Sequence, residues 1–215
     1  MKSKVYIIIC ILLIAVGVGL GLYGWNNLSD DAARQTKTLP TCGQIVLDIT
    51  SCDVEVRPSQ DGACHLTCWE TEETPWEAVE ENGTLTVREQ HSDRPWFMAL
   101  ARLPRDNGPA VLELPGGACD SLQIDATSGD IKLEGLRAGT LCVDCTSGDV
   151  TLDGTDAEVI TVDCTSGDVT AVLPTGKAFT VKATSGDVTV PPDQPEGGVC
   201  RIETTSGDIT VTVAP

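Results

Sequence analysis

The sequence contains few basic residues, which limits the partners it can bind. Its 215 residues include 14 Lys and Arg against 32 Asp and Glu, and the formal net charge is −18. Without Lys2 and Lys4, which precede a long hydrophobic run, 12 basic residues face 32 acidic ones, a net charge of −20. Nucleic-acid binding needs a positive surface, so the composition excludes that class. An acidic surface attracts cations or cationic peptides, but the same charge is also explained by a simple role in keeping the protein soluble.

Residues typical of catalytic sites are also scarce. The two histidines, His65 and His91, lie in no zinc-protease motif, and the chain has neither a G-x-S-x-G elbow nor a P-loop. We therefore expect no enzyme, no catalytic residues, no metal site and no cofactor. A polysaccharide-active enzyme is the least favoured alternative, because such enzymes hold sugars on aromatic platforms and the repeats described below contain one aromatic residue, Phe179.

Aromatic residues make up only 4% of the chain. Outside the N-terminal run and the repeats, they lie between residues 60 and 100. Residues of this kind more often pack in a core or a loop than bind a ligand. If the chain has an aromatic ligand surface, we expect it at Trp69, Trp76 and Trp96.

Against this background, the tetrapeptide Thr-Ser-Gly-Asp occurs five times. The first four copies start at Thr127, Thr146, Thr165 and Thr184, a strict spacing of 19 residues, and the fifth starts 21 residues later, at Thr205. Apolar residues alternate with polar ones on both sides of each copy, which predicts two short strands per repeat. Units this short must stack on one another to bury a core. The sequence therefore predicts an all-β fold, a β-solenoid built as a single-stranded β-helix-like stack of successive TSGD repeats.

The motif marks a corner between the two strands of each repeat. The inward positions change from even to odd residue numbers across Gly129, and such a change of face requires a bulge or turn. Two roles are open for the aspartate that follows: a corner residue capped by amides and hydroxyls, which we favour, or a ladder of calcium ligands. The predicted corner residues are Gly129, Asp130, Gly148, Asp149, Gly167, Asp168, Gly186, Asp187, Gly207 and Asp208.

A degenerate copy of the repeat lies upstream, over residues 43–59, with Cys52 in the glycine position. We therefore place the start of the β-repeat domain at residue 42, with irregular strands over 60–120 and regular repeats over 121–215. Within the irregular part, Asn82-Gly83 separates two alternating segments and predicts a hairpin. Residues 91–108 show no period and predict a mobile loop.

The N-terminus predicts a membrane anchor. Residues 5–23 form an uncharged run long enough to span a bilayer, preceded by Lys2 and Lys4 and followed by Asp30 and Asp31. We assign residues 1–4 to a cytoplasmic tip, 5–25 to a single transmembrane signal-anchor and 26–41 to a polar stalk. The repeats would then lie outside the cell. A cleaved signal peptide is the alternative, but no small-residue cleavage site follows the run.

Nine cysteines follow the predicted span, an odd number for an oxidising compartment. Cys142 and Cys145 form a C-x-x-C string that would suggest a redox or zinc site. Alternation places them on opposite faces of one strand, which argues against both. Cys145 and Cys164 share an inward column and are best explained as small buried apolar residues.

These motifs carry a family resemblance. The N-terminal hydrophobic segment, the degenerate first repeat, the ENGTLTV hairpin and the TSGDI or TSGDV units over residues 43–215 resemble the bacterial putative-adhesin β-strand-repeat family, the toastrack domains, which include LiaG-like envelope proteins. The resemblance implies a non-enzymatic, membrane-anchored, extracytoplasmic module of the cell envelope, acting in envelope stress response or adhesion. Its partners would be envelope proteins, cationic peptides or a cell-wall polymer. The alternative is a purely structural stalk or spacer.

Overall fold

The computed structural model describes residues 33–70, 75–90 and 108–214. They contain seventeen β-strands and two short 3₁₀ turns, Pro115–Gly117 and Pro195–Gly197. The strands are β1 (Ala33–Leu39), β2 (Gln44–Ile49), β3 (Val54–Pro58), β4 (Cys64–Glu70), β5 (Trp76–Glu81), β6 (Thr84–Glu89), β7 (Ala110–Leu114), β8 (Ala118–Ser128), β9 (Ile131–Glu134), β10 (Arg137–Ser147), β11 (Val150–Asp153), β12 (Asp156–Ser166), β13 (Val169–Leu173), β14 (Ala178–Ser185), β15 (Val188–Thr189), β16 (Val199–Ser206) and β17 (Ile209–Val213).

Each TSGD repeat forms one coil with two strands, one before the motif and one after it. Coils one to five are β8–β9, β10–β11, β12–β13, β14–β15 and β16–β17, and the degenerate copy forms a leading coil, β2–β3. The strands before the motif lie in an eight-stranded sheet, and those after it lie in a nine-stranded sheet. The prediction of an all-β repeat fold is thus confirmed. The single-stranded stack is corrected to two sheets, because every coil turns from one sheet to the other at its motif.

Neighbouring coils pair in parallel and in register. Val143 pairs with Ile124 on one side and with Val162 on the other, and Val150 pairs in the same way with Ile131 and Val169. Register is fixed because a slip by one residue would turn every apolar side chain outward. The inward residues Val143, Val162 and Val169 are fully buried between the sheets. Burial of these stacked columns is the main favourable term for a fold whose single coils have no core.

The order of the coils differs from their order in the chain. The sequence predicts that each repeat stacks on the one before it, but β16 lies between β12 and β14, and β17 lies between β13 and β15. Ile202 therefore pairs with both Val162 and Val181. The longer connection over residues 190–198, with three prolines and a 3₁₀ turn, lets the chain pass back across coil four. Coil four thus ends the stack, and coil five is internal.

Antiparallel strands close the opposite end of the stack. Strands β5 and β6 form a hairpin whose turn residues Asn82 and Gly83 have φ values of 53° and 82°, as the Asn-Gly signal predicts. Strand β6 continues the leading coil's sheet in parallel, and β7 does the same in the other sheet. Strand β4 then pairs with β7, and β1 pairs with β4, both in antiparallel orientation.

The residues assigned to a stalk require a correction. Ala33–Leu39 form strand β1, which pairs along its whole length with β4. An edge strand can be solvated along its outer side, so it can consist mostly of polar residues. In the sequence, such a strand looks like a polar linker. The predicted tip at residues 1–4, the predicted span at 5–25 and residues 91–107 of the predicted loop lie outside the described residues. Within the described ranges, no helix is long and apolar enough to cross a membrane.

Candidate interaction surface

At the corners, the glycines allow a very close approach of neighbouring coils. Gly148 has φ 126°, and a Cβ atom built on it would lie 2.1 Å from the carbonyl oxygen of Gly129. Gly167 has φ 136°, and its Cβ would lie 2.0 Å from the carbonyl oxygen of Gly148. No real Cβ tolerates such a contact, so these positions need glycine for space as well as for φ. The same close approach recurs at Gly129, Gly186 and Gly207.

The corner aspartates form a ladder from coil to coil. The backbone N–H of Asp149 donates to Asp130 Oδ1 at 2.9 Å, and that of Asp168 donates to Asp149 Oδ1 at 2.8 Å. These two carboxylates are therefore held by the amide of the next coil, rather than by amides and hydroxyls of their own motif. From the leading coil onward, the ladder runs through Asp53, Asp130, Asp149, Asp168, Asp208 and Asp187.

This ladder has a structural role. Its bonds join every coil from the leading coil to coil four, in the spatial order that the sheets define. In the described part of the chain, no group of three or more His, Cys, Asp or Glu residues is arranged to hold a metal ion. The remaining exposed surfaces of the stack are the outer faces of the two sheets and their edges.

The outer face of the eight-stranded sheet carries a second line of carboxylates, which we call the acidic row. Cross-strand pairing aligns Asp48 with Asp125, Asp125 with Asp144, and Asp144 with Asp163. Adjacent strands are about 4.8 Å apart, so these like charges lie side by side and repel one another.

An arginine lies at each end of the acidic row, and the second of them, Arg201, also forms an ion pair with Glu203 at 2.9 Å. Arg88 Nε donates to Asp48 Oδ2 at 2.8 Å, and Arg201 lies 3.4 Å from Asp163 Oδ2. In the middle, Asp125 accepts from the Gln123 amide at 3.0 Å, and Asp144 accepts from the Cys142 thiol at 3.8 Å. Burial, and then the Asp144 carboxylate, raises the pKa of Cys142. Among the described residues, no Lys or Arg forms an ion pair with Asp125 or Asp144.

A line of threonines borders the acidic row. Thr127, Thr146 and Thr165 follow the aspartates by two positions, and all three side chains are exposed. Together with the four carboxylates they line an open groove across the strands. This groove combines negative charge with hydroxyl groups, so it can accept hydrogen bonds from ammonium or guanidinium groups.

The predicted aromatic surface is not assembled in the described residues. Trp76 is only 7% exposed and belongs to the core at the β5 end of the stack. It is buried because it occupies an inward position of its strand. Trp69 is half-buried in β4, and Trp96 lies outside the described residues.

One buried charge was not predicted from the sequence. Lys177 is 1% exposed, and its ammonium group donates to Asp156, to Thr175 and to the carbonyl of Gly197. These bonds use all three donors and tie the connection before β16 to the start of β12. The sequence gives no signal for this role, because a single lysine in a loop usually points into solvent.

The described thiols are all free. Cys145 and Cys164 pair across adjacent strands and are 4% and 7% exposed, so the prediction that they are buried is confirmed. Cys142 lies on the opposite, outward face of the same strand. Burial raises the pKa of Cys164 to about 12 and that of Cys200 to about 11, which keeps both as unreactive thiols at neutral pH.

At the coil-four end, both sheets stop together, and we call this region the open end. It consists of β14, β15 and the flanking Val190. Phe179, Val181 and Ala183 occupy inward positions but are only partly buried, since no coil in residues 33–70, 75–90 or 108–214 covers them. Val188 and Val190 are 42% and 41% exposed, whereas the equivalent Val150 in coil two is fully buried.

A known family and a solved structure agree with this architecture. Residues 42–214 match the family described as Toastrack DUF4097. A crystal structure of a putative cell adhesion protein from Clostridium sporogenes is similar, with a TM-score of 0.60 and 12% identity over 86% of this chain and 100% of that one. A putative adhesin from Bacteroides fragilis aligns with a TM-score of 0.41 and 10% identity, over 86% and 98% of the two chains. Comparison with curated proteins gave no match.

Proposed function

Because the chain belongs to the Toastrack DUF4097 family, we propose that it is a non-enzymatic binding module of the bacterial cell envelope. In this proposal, one N-terminal span holds the β-repeat domain on the outer side of the membrane. The uncharged run over residues 5–23, with Lys2 and Lys4 before it, supports this orientation. The similarity to a putative cell adhesion protein supports a role in contact rather than in catalysis.

We further propose that the ligand is a cationic peptide or a basic segment of an envelope protein, bound along the acidic row. The observation that carries this proposal is the pair of central carboxylates, Asp125 and Asp144, which have no cationic partner in the described part of the chain. A lysine or arginine side chain placed over them would relieve their mutual repulsion. The exposed Thr127 and Thr146 would supply further hydrogen bonds beside them.

Binding of a lysine-rich peptide tests the ligand. The full-length protein in nanodiscs of zwitterionic lipid is titrated with fluorescent nona-lysine, and the same titration is made with the D125N/D144N variant. We expect the variant to bind about tenfold more weakly, since two exposed ion pairs together contribute about 1 to 2 kcal/mol. Added salt should weaken binding to the unaltered protein.

The matched control is E134Q/D153N. These two residues pair on the outer face of the nine-stranded sheet, and their substitution removes the same charge. Its affinity for the peptide should remain unchanged. Equal weakening in both variants would show that only net charge matters. Absence of binding would favour the structural spacer over the binding module.

The anchor is tested separately. Expressed in a bacterium, the full-length chain should sediment with membranes at its full mass, and protease added outside intact cells should cut the repeats. Release of a shortened, soluble form into the medium would contradict retention by the N-terminal segment.

A further inference from the structure

We propose that the open end is a self-association surface, at which two copies of this chain join edge to edge about a two-fold axis. The proposal concerns the β14–β15 end, on the opposite side of the stack from β1 and β5. It does not depend on the acidic row or its ligand.

The open end exposes apolar surface that is buried elsewhere in the stack. Of the five large hydrophobic side chains that are exposed among the described residues, Val188 and Val190 belong to it. Val159 and Val199, also among the five, pair with each other, and Val199 pairs with Ala178 at the start of β14. Val159 and Val199 lie on the outward face of the eight-stranded sheet, in coils three and five, so Val188 and Val190 are the two of the five that belong to the open end. With the partly buried inward residues of β14, these two valines give the open end an apolar surface, which is typical of a contact surface.

The open end also presents unpaired backbone groups. In the described part of the chain, no strand pairs with the outer edge of β14 or of β15. The connection before β16 covers only the start of β14: Phe179 N–H donates to Asp193 Oδ1 at 2.9 Å, and Gln194 N–H donates to the Lys177 carbonyl at 2.7 Å. Within the described ranges, residues 180–185 have no strand partner on this side and form a free edge. A free edge of this kind is a template for another strand.

The opposite end is protected in a way that the open end is not. There β5 contains three glutamates among its six residues. The β1 edge carries Arg34 and Lys37, and Lys37 forms an ion pair with Glu70. Charges on edge strands oppose pairing with other chains. On β14, by contrast, the free edge carries one charged side chain, Lys182.

Geometry favours a second copy over an extended peptide as the partner. A single peptide strand could pair with only one of the two edges. A copy rotated by 180° brings β14 against β14 and β15 against β15, so both sheets continue, with antiparallel pairing across the contact. If the pairing centres on Ala183, Lys182 lies opposite Thr184, and like charges do not meet. The exposed valines of the two copies then cover one another.

The experiment compares V188K with V79K by size-exclusion chromatography and light scattering of the full-length protein in detergent. The two valines are 42% and 38% exposed and lie at opposite ends of the stack, so both variants should fold. We expect a concentration-dependent dimer for the unaltered protein and for V79K. V188K should raise the dimer Kd by about 100-fold or more, because it buries an unpaired ammonium.

Photo-crosslinking gives a second readout that does not depend on these variants. Benzoylphenylalanine in place of Lys182 should yield a crosslinked dimer, whereas the same group in place of Lys132, on the outer face of β9, should not. A monomer at every concentration would overturn the proposal. Loss of the dimer in V79K instead of V188K, or crosslinking from position 182 only to a different protein in cells, would overturn it as well.

Discussion

At the coil corners, the absence of a side chain sets the spacing of the stack. The carbonyl oxygen of one corner occupies the space that a Cβ of the next would need, as at Gly129 and Gly148. A positive φ alone would allow asparagine or aspartate at some cost, but this contact does not. The leading coil has Cys52 at the same position, and its φ is not in the left-handed region.

Two alanine substitutions separate the effect of the positive φ from the effect of the close contact between coils. Gly148 and Gly154 both have positive φ, but a Cβ at Gly154 would meet its nearest atom only at 4.0 Å. G154A should lower the free energy of unfolding by about 1 kcal/mol, the cost of left-handed backbone. G148A should cost clearly more, because two coils must move apart. Urea denaturation measures both, and equal losses would show that the contact at Gly148 is relieved without strain.

At the scale of the strand pair and its corner, the aspartate ladder consists of hydrogen bonds between neighbouring coils, not of hydrogen bonds within one corner. Asp149 shows both halves of the pattern, since its N–H donates to Asp130 and its carboxylate accepts from Asp168. The same side-chain bond recurs at every junction from the leading coil to coil four. It also turns the repulsion of stacked carboxylates into a row of satisfied acceptors.

Substitution of single aspartates tests the ladder. D149A removes an acceptor between coils two and three and should reduce stability by about 1 kcal/mol, the usual net value of such a bond. D149N keeps an oxygen acceptor and should lose less. Asp187 ends the ladder, with no amide of the described residues donating to its carboxylate, so D187A is the matched control and should change little.

Thermal melting with and without chelator completes this test. The melting temperature should be the same in EDTA and in calcium, because amides already occupy the carboxylates. A saturable gain in melting temperature with calcium, lost in D149N, would assign the ladder to metal binding instead.

Across the whole molecule, buried thiols make stability sensitive to alkaline pH. Burial raises the pKa of Cys64, Cys68, Cys119 and Cys200 to about 11 each and that of Cys164 to about 12, from an ordinary value of 9.0. A raised pKa means that the folded state keeps protons that the unfolded state releases. The resulting stabilisation is full below pH 9 and is lost as the pH rises from 9 towards 11 or 12.

Melting at pH 8 and pH 10.5 checks this dependence. The protein should melt at a lower temperature at pH 10.5, and C164A should reduce that loss, since alanine fills the same column in coils one and four. Cys164 alone should account for about 2 kcal/mol between the two pH values. C142A, on the half-exposed outer face, is the control and should reduce the loss less. Identical pH profiles for all three proteins would show that these thiols do not titrate as described.

Much of this architecture follows from the repeat, because alternation and a fixed period determine which residues face inward. The 19-residue spacing alone predicts that Val143, Val162 and Val181 share one inward column. The coil order could not be predicted, since both Val181 and Ile202 fit beside Val162. The acidic row could not be predicted as a whole, because it depends on the pairing register of the strands. That register places Asp48, which is distant in the chain, beside three aspartates spaced by 19 residues. Strand β1 was not predicted, because a solvated edge strand need not show alternating apolar residues.

The insertion of coil five between coils three and four determines when the domain can be completed. During synthesis, the chain can stack in its native order only as far as coil three until coil five emerges, because coil five is the inner neighbour of coil four. Coil four must wait, with its apolar column uncovered, until β16 and β17 arrive. Coil five therefore completes the stack from within, and a protease that removed it would take away an internal layer and separate coil four from coil three.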